Sequence, residues 1–198
     1  MNKFAYALLF ISIPLIAIYI LMPSKVYHEP GILVDSRPKQ VKIINGKSWV
    51  YENYDFRPLA EINLDARVLS KKYYTSDRES DISPLDLALG WGKMSDSAIL
   101  DKIDISQRLR WYFWKTPKFP IPRKEIELSS ANMHMIPSNE SIENTLDAVL
   151  EGNVIRLEGI LVEITADDGY RWRSSLNRSD NGNGACEIVW VTKLNILR

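Results

Sequence analysis

The chain has one cysteine, Cys186, and two histidines, His28 and His134, in 198 residues. A lone cysteine excludes an intrachain disulfide and leaves a buried, free or intermolecular thiol. So few histidines narrow nucleophilic chemistry to one pairing. A cysteine nucleophile needs a base beside it, and His28 lies in a proline-flanked N-terminal segment, so the only candidate pair is Cys186 with His134. No serine sits in a Gly-x-Ser-x-Gly turn, and no carboxylate pair is spaced for acid–base work. Neither a metal site nor a cofactor is expected, and there are no repeats or low-complexity runs. Charge of one sign is also missing: 25 Lys plus Arg balance 25 Asp plus Glu, for a formal net charge of zero. That balance argues against a general nucleic-acid binder, whose affinity comes from cations facing phosphates, so nucleic acid is not expected as a partner.

What is present begins with "FAYALLFISIPLIAIYILM", residues 4–22, a run without charge. A helix of that length spans roughly 28 Å, close to a bilayer's hydrocarbon thickness. No Ala-x-Ala cleavage site follows, and no nearby cysteine offers lipid attachment. The expected organisation is a transmembrane anchor at 1–23, a linker at 24–31 with Pro30 and Gly31 as breakers, and an extracytoplasmic domain at 32–198. This places the chain in a bacterial inner membrane as a single-pass protein with its C-terminal domain in the periplasm.

Within the domain, Asn45-Gly46 between two β-rich runs suits a type I′ hairpin turn. Residues 60–75 lean towards strand. Ser83-Pro84 opens what reads as a short helix that includes Asp86 and stops at Gly90, and 95–103 reads as another. "ISQRLRWYFWK" alternates as one strand, with a further candidate strand at 125–130. Ile142, Leu146, Val149 and Leu150 have helical spacing over 140–151. The run from Asn153 is broken at Gly159 and at Asp168-Gly169, and 186–194 forms a last strand. The fold class expected is α+β with β dominant. It comprises one small domain with a bent antiparallel sheet or partial barrel, of oligonucleotide/oligosaccharide-binding type as one candidate, with two or three short helices.

Three stretches carry candidate chemistry. "WRSSLNRSDNGNGACE", residues 172–187, offers Ser175, Asn177, Arg178, Asp180, Asn183 and Cys186 for binding, or for catalysis with His134 as base. Its plainer reading is a structured turn between two strands, with Gly182 and Gly184 supplying unusual φ. Its Asn-x-Ser-x-Asn-Gly run fails as a calcium loop, because the twelfth position from Asn177 is Ile188 rather than a carboxylate. "QRLRWYFWKTPKFPIPRKE", residues 107–125, interleaves cations with aromatics. Arg108, Arg110, Trp114 and Lys115 could meet a glycan or an anionic lipid surface, or simply edge a half-buried strand. Trp91, between two glycines, is either an exposed contact or a core residue under a tight turn.

The stretches "DLALGWGKMSD", "SSANMHMIP" and "WRSSLNRSDNGNGACE" resemble those of a group of uncharacterised single-span bacterial envelope proteins. The resemblance implies a membrane-anchored placement and brings no activity, cofactor or catalytic residue. The function expected is a membrane-tethered binding or assembly module, a subunit or accessory of an envelope complex with a protein partner. An envelope hydrolase or transferase using the 172–187 loop is the alternative.

Overall fold

The computed structural model describes residues 25–177 and 186–198. Ten strands dominate. β1 (Lys39–Lys42) and β2 (Trp49–Tyr51) lie along β3 (Tyr54–Tyr73), which is followed by β4 (Leu85–Gly90), β5 (Asp104–Arg108), β6 (Trp111–Lys115), β7 (Ser130–Pro137), β8 (Val154–Thr165), β9 (Arg171–Arg173) and β10 (Glu187–Ile196). The helices are short: α1 (Ser97–Leu100), α2 (Arg123–Leu128) and α3 (Glu140–Ala148). This is a β-dominant α+β fold.

The long strand β3 pairs antiparallel with β4 through its last third and with β8 through its first two thirds. From β4 the ladder continues to β7, then β10, then back to β8. Five strands therefore close on themselves, with bulges in β3 and β10 where the sheet bends. Bulges are the usual means by which a twisted strand turns a barrel corner. The expected bent antiparallel sheet or partial barrel is seen as a bent sheet whose ladder closes on itself, with β7 and β10 paired parallel.

Alternation selects the interior. Ile62, Leu64, Ala66 and Val68, then Leu85, Leu87 and Leu89, then Met133 and Met135 point inward, joined by Leu157, Leu161, Val189 and Val191. α3 plugs one end with Ile142 and Leu146, its N-terminus capped by the Asn139 side chain on the Ile142 amide. Lys71 Nζ donates to the carbonyls of Leu146, Asp147 and Val149 at its other end, where a cation also suits the helix dipole. Gly159 on β8 allows a close crossing, since a Cβ there would meet the Trp190 carbonyl oxygen at 2.7 Å.

The barrel is also buried on much of its outside. Phe56, Ile136, Val162, Ile164 and Ile188 lie beneath Trp49, Tyr51, Trp172 and Trp190. Residues 91–129 fold over β4 and bury Met94, Ile103, Ile121 and Ile126. This second layer explains several departures from the sequence reading. Residues 85–90 form a strand buried on both faces rather than a helix, because the outward positions are covered too. Residues 105–115 fall in a hairpin, β5–β6, instead of one strand. Residues 123–128 form α2, with Pro122 at its start and an Arg123–Glu127 pair one turn apart. Asn45-Gly46 does not turn a hairpin. β1 and β2 both pair with β3, and Gly46 sits in the kink between them, where a Cβ would meet Pro58 Cγ at 2.5 Å. The hairpin turn falls at Glu52-Asn53, with Glu52 at φ 52°.

The segment read as a linker lies against the domain. Val26 donates to the Glu151 carbonyl at 2.7 Å, and the amides of Leu33 and Val34 meet Ser95 Oγ at 3.1 and 3.0 Å. Among the described residues no helix is long and apolar enough to cross a membrane; the run at 4–22 lies outside them.

Candidate functional site

The candidate site is a polar cluster on the outer face of the barrel, under the β5–β6 hairpin. Register places Asp86 of β4 opposite His134 of β7, and Ala88 opposite Asn132. On the other side of β7, Ile188 of β10 lies opposite His134. Alternation turns Asp86, Asn132 and His134 away from the interior, where Leu85, Leu87, Met133 and Met135 point. All three are nonetheless buried, because the hairpin covers them.

The hairpin tip is Leu109-Arg110, both with positive φ, 50° and 65°. Such a turn normally takes asparagine or glycine, and holding two other residues there costs on the order of 1 kcal/mol each. The Arg110 side chain offsets that cost. Its Nε and Nη2 grip the two oxygens of Asp77 at 2.9 and 2.7 Å, and its Nη1 donates to Asp86 Oδ1 at 2.9 Å and to the Ser83 carbonyl at 2.8 Å. The guanidinium stacks on Tyr74 at 4.1 Å, and the Arg110 amide donates to the Tyr74 hydroxyl.

Asp86 Oδ1 also receives His134 Nδ1 at 2.8 Å. A carboxylate only accepts, so Nδ1 carries the proton. Asn132 Nδ2 donates to the Arg110 carbonyl at 3.2 Å, and Gln107 Nε2 donates to Asn132 Oδ1 at 2.6 Å. Cys186 Sγ approaches the same Arg110 carbonyl at 3.9 Å. Cys186 and His134 thus belong to one cluster, joined through Arg110 and Asp86.

Burial alone would lower the Arg110 guanidinium, but the hydrogen bonds and charges of Asp77 and Asp86 together raise it. The Asp77 carboxyl is held below its usual range, chiefly by its hydrogen bond from Arg110. Asp65 is lowered in the same way by Arg156, and Asp168 by Arg78. A carboxylate whose folded pKa is lowered stabilises the fold fully above its unfolded value, and that contribution is lost as pH falls through the folded one. The urea midpoint is therefore expected to hold from neutral pH down to about pH 4 and to drop below it. Arg110→Met should reduce that acid-side drop.

The other expected site residues separate. Arg108 points outward over the Phe113 ring at 4.9 Å, and Lys115 is exposed. Arg110 turns inward, so it does not share their surface. Trp114 is half-buried against Phe119 and Arg123. Trp91 is a core residue with Val34 and Val154. Ser175 is buried, its hydroxyl donating to the Asn177 carbonyl and its amide to the Cys186 carbonyl at 3.0 Å. The base of the 172–187 loop is thereby zipped shut, and the Ile188 amide adds a bond to Ser174 Oγ. Arg178, Asp180 and Asn183 lie outside the described residues. Among the described residues no three His, Cys, Asp or Glu side chains are grouped to hold a metal ion.

Sequence reasoning missed Asp77, Asp86, Gln107 and Asn132. The available signal was one acid inside the apolar run "LDLAL", a costly place for a charge unless it is paired.

The sequence matches no family model and no curated protein. A solved structure that resembles the fold is the mitochondrial single-stranded DNA binding protein Rim1 from S. cerevisiae, 11% identical over 70% of this chain and 94% of that one, with a TM-score of 0.27. The expectation that nucleic acid is not a partner is withdrawn beside this neighbour, a DNA-binding protein, without any ligand being assigned to this chain. A neutral total also hides local surplus, since Arg57, Arg171 and Arg173 surround the single buried carboxylate of Glu163. A likeness this distant carries no argument for what this chain binds.

Proposed function

We propose that the chain is a membrane-tethered, periplasm-facing binding module that joins an envelope assembly through the outer surface of its β5–β6 hairpin. Its barrel is read as the oligonucleotide/oligosaccharide-binding type. What supports that reading is the pairing order β3-β4-β7-β10-β8 closing on β3, the single parallel pair β7–β10, and a helix between the third and fourth barrel strands. Barrels of this type use the face of their second and third strands for ligands. Here the hairpin covers that face and presents its own surface instead.

The observation that carries the proposal is the clustering of exposed apolar side chains on this one clamped element. Leu109 at the tip is 81% exposed and Phe113 on the outer face 39%, while Phe119, 49% exposed, packs on the neighbouring Trp114. Asp104, Ser106, Arg108, Phe113, Trp114 and Lys115 line a shallow groove there. Single exposed apolar residues are ordinary, whereas a rimmed group marks a contact surface. A photo-crosslinking residue at position 113, in cells carrying the full chain, should give one discrete protein adduct. The same residue at Lys47 should give none. No adduct at 113, or equal smears at both positions, contradicts the proposal.

The second reading, a hydrolase or transferase with Cys186 as nucleophile, is favoured by the Asp86–His134 bond, which sets the tautomer a general base needs. Two features oppose it. The thiol faces the Arg110 carbonyl oxygen at 3.9 Å rather than a guanidinium nitrogen, and Asp86 is already paired with Arg110. Cys186→Ala is expected to leave function in cells intact; its loss with folding preserved would favour the enzyme.

A further inference from the structure

A cavity of about 310 Å³ opens between the barrel end and the N-terminal strap of residues 25–28, adjoining the hairpin groove at Asp104, which lines both. That volume is at the lower end of ligand-sized clefts, roughly 300–1,000 Å³. Arg67 of β3 forms part of its lining and is 5% exposed. One guanidinium nitrogen, Nη1, donates to the Ser95 carbonyl at 3.0 Å and to Ser97 Oγ at 2.8 Å. Among the described residues Arg67 forms no ion pair, and its Nε and Nη2 donate to no protein acceptor. Buried charges are ordinarily paired, and burial lowers this guanidinium despite the more distant Asp101 and Asp96.

The strap is tied to the same network. Ser97 Oγ donates to the His28 carbonyl at 2.8 Å, His28 Nε2 bonds the Gly152 carbonyl at 2.9 Å, and Lys25 also lines the cavity. Asp101 and Asp104 line it as well and are exposed, as is Glu151 in part. With two cations and three carboxylates around it, the cavity would repel a bare polyanion. A ligand bearing both signs meets both sets.

We infer that this cavity binds a small zwitterion, a phosphate monoester or diester carrying a primary ammonium group, with its anionic oxygens on Arg67 and its ammonium at Asp101 and Asp104. Two sources share that chemistry: a soluble phosphoethanolamine-type metabolite, and a phosphoethanolamine lipid headgroup. The strap begins three residues after the apolar run 4–22, so the lipid source, though not the site itself, rests on the reading of that run as an anchor.

The test uses the full chain in detergent, titrated calorimetrically with O-phosphoethanolamine, inorganic phosphate and ethanolamine. O-phosphoethanolamine is expected to bind, with the other two weaker by about tenfold or more. Arg67→Gln should abolish binding. If that variant does not fold, Asp101→Asn, at an exposed position outside the hairpin groove, should weaken O-phosphoethanolamine several-fold and leave phosphate unchanged. Nanodiscs containing phosphatidylethanolamine, against phosphatidylcholine alone, then distinguish the sources: competition by the first assigns the headgroup, and none assigns the soluble ester. No binding of O-phosphoethanolamine, inorganic phosphate binding as tightly, or binding indifferent to both substitutions overturns the inference.

Discussion

Replacing Asp86 with alanine is expected to destabilise the protein by about 3–5 kcal/mol, the range found when one member of a buried ion pair is removed. Asp86 is fully buried and accepts from Arg110, His134 and Asn132. Without it, Arg110 keeps Asp77 but loses its deeper partner, and the His134 Nδ1 proton has no acceptor left in that bond. Each domain of this size shifts by about 2–4 °C in Tm per kcal/mol, so a fall of roughly 10 °C should be visible by calorimetry. Hydrogen exchange adds the local signature: amides of β5 and β6 should lose protection first, while those of β8 and β10 follow only global unfolding. Asp86→Ala combined with Arg110→Met should cost clearly less than the two single changes summed, because the second removes the cation the first strands. Strict additivity would mean that Asp86 and Arg110 do not act as a pair.

Gly152→Ala is expected to cost at least about 2 kcal/mol and to release the strap. Gly152 has φ +88°, where an L side chain is strained. An added Cβ there also collides with the Val26 carbonyl, a backbone atom that cannot turn aside. Relief requires moving the strap, which breaks the Val26–Glu151 and His28–Gly152 bonds. Proteolysis should report this directly: Lys25, exposed but held extended in the parent by its backbone β-bridge to Glu151, should be cut by trypsin faster in the variant. Gly169→Ala is the control. It also has positive φ, but no atom lies within 4 Å of its added Cβ, so its cost should stay near the conformational strain alone and leave the strap in place.

The barrel was legible where one face of a strand is distinct from the other. β3, β8 and β10 show it, as does the α3 stripe of Ile142 and Leu146. Legibility failed under the second layer. In "LDLALG" both faces are buried, so the outward Asp86 and Ala88 read as positions on a helix. The β5–β6 turn was invisible because Leu109-Arg110 carries none of the residues that announce positive φ. Its conformation is held by Asp77 and Asp86, 33 and 24 residues away. The site was half legible for the same reason. Cys186 and His134 stood out as rare side chains, and they do share a cluster. Its organising members, Arg110 and Asp86, looked like a solvated cation and a helix-cap acid, since only the fold brings them together.

The polar cluster clamps the hairpin, and the hairpin's free surface is the proposed contact. The most direct measurement is the mass of the particle obtained when the tagged chain is extracted in mild detergent from cells producing it, with parent and Phe113→Ser, Leu109→Gln compared. A particle well above the chain's own 22.8 kDa, with a stoichiometric partner that the surface variant loses while keeping its melting temperature, is the predicted result. A lone chain, or a partner retained unchanged by the variant, contradicts it.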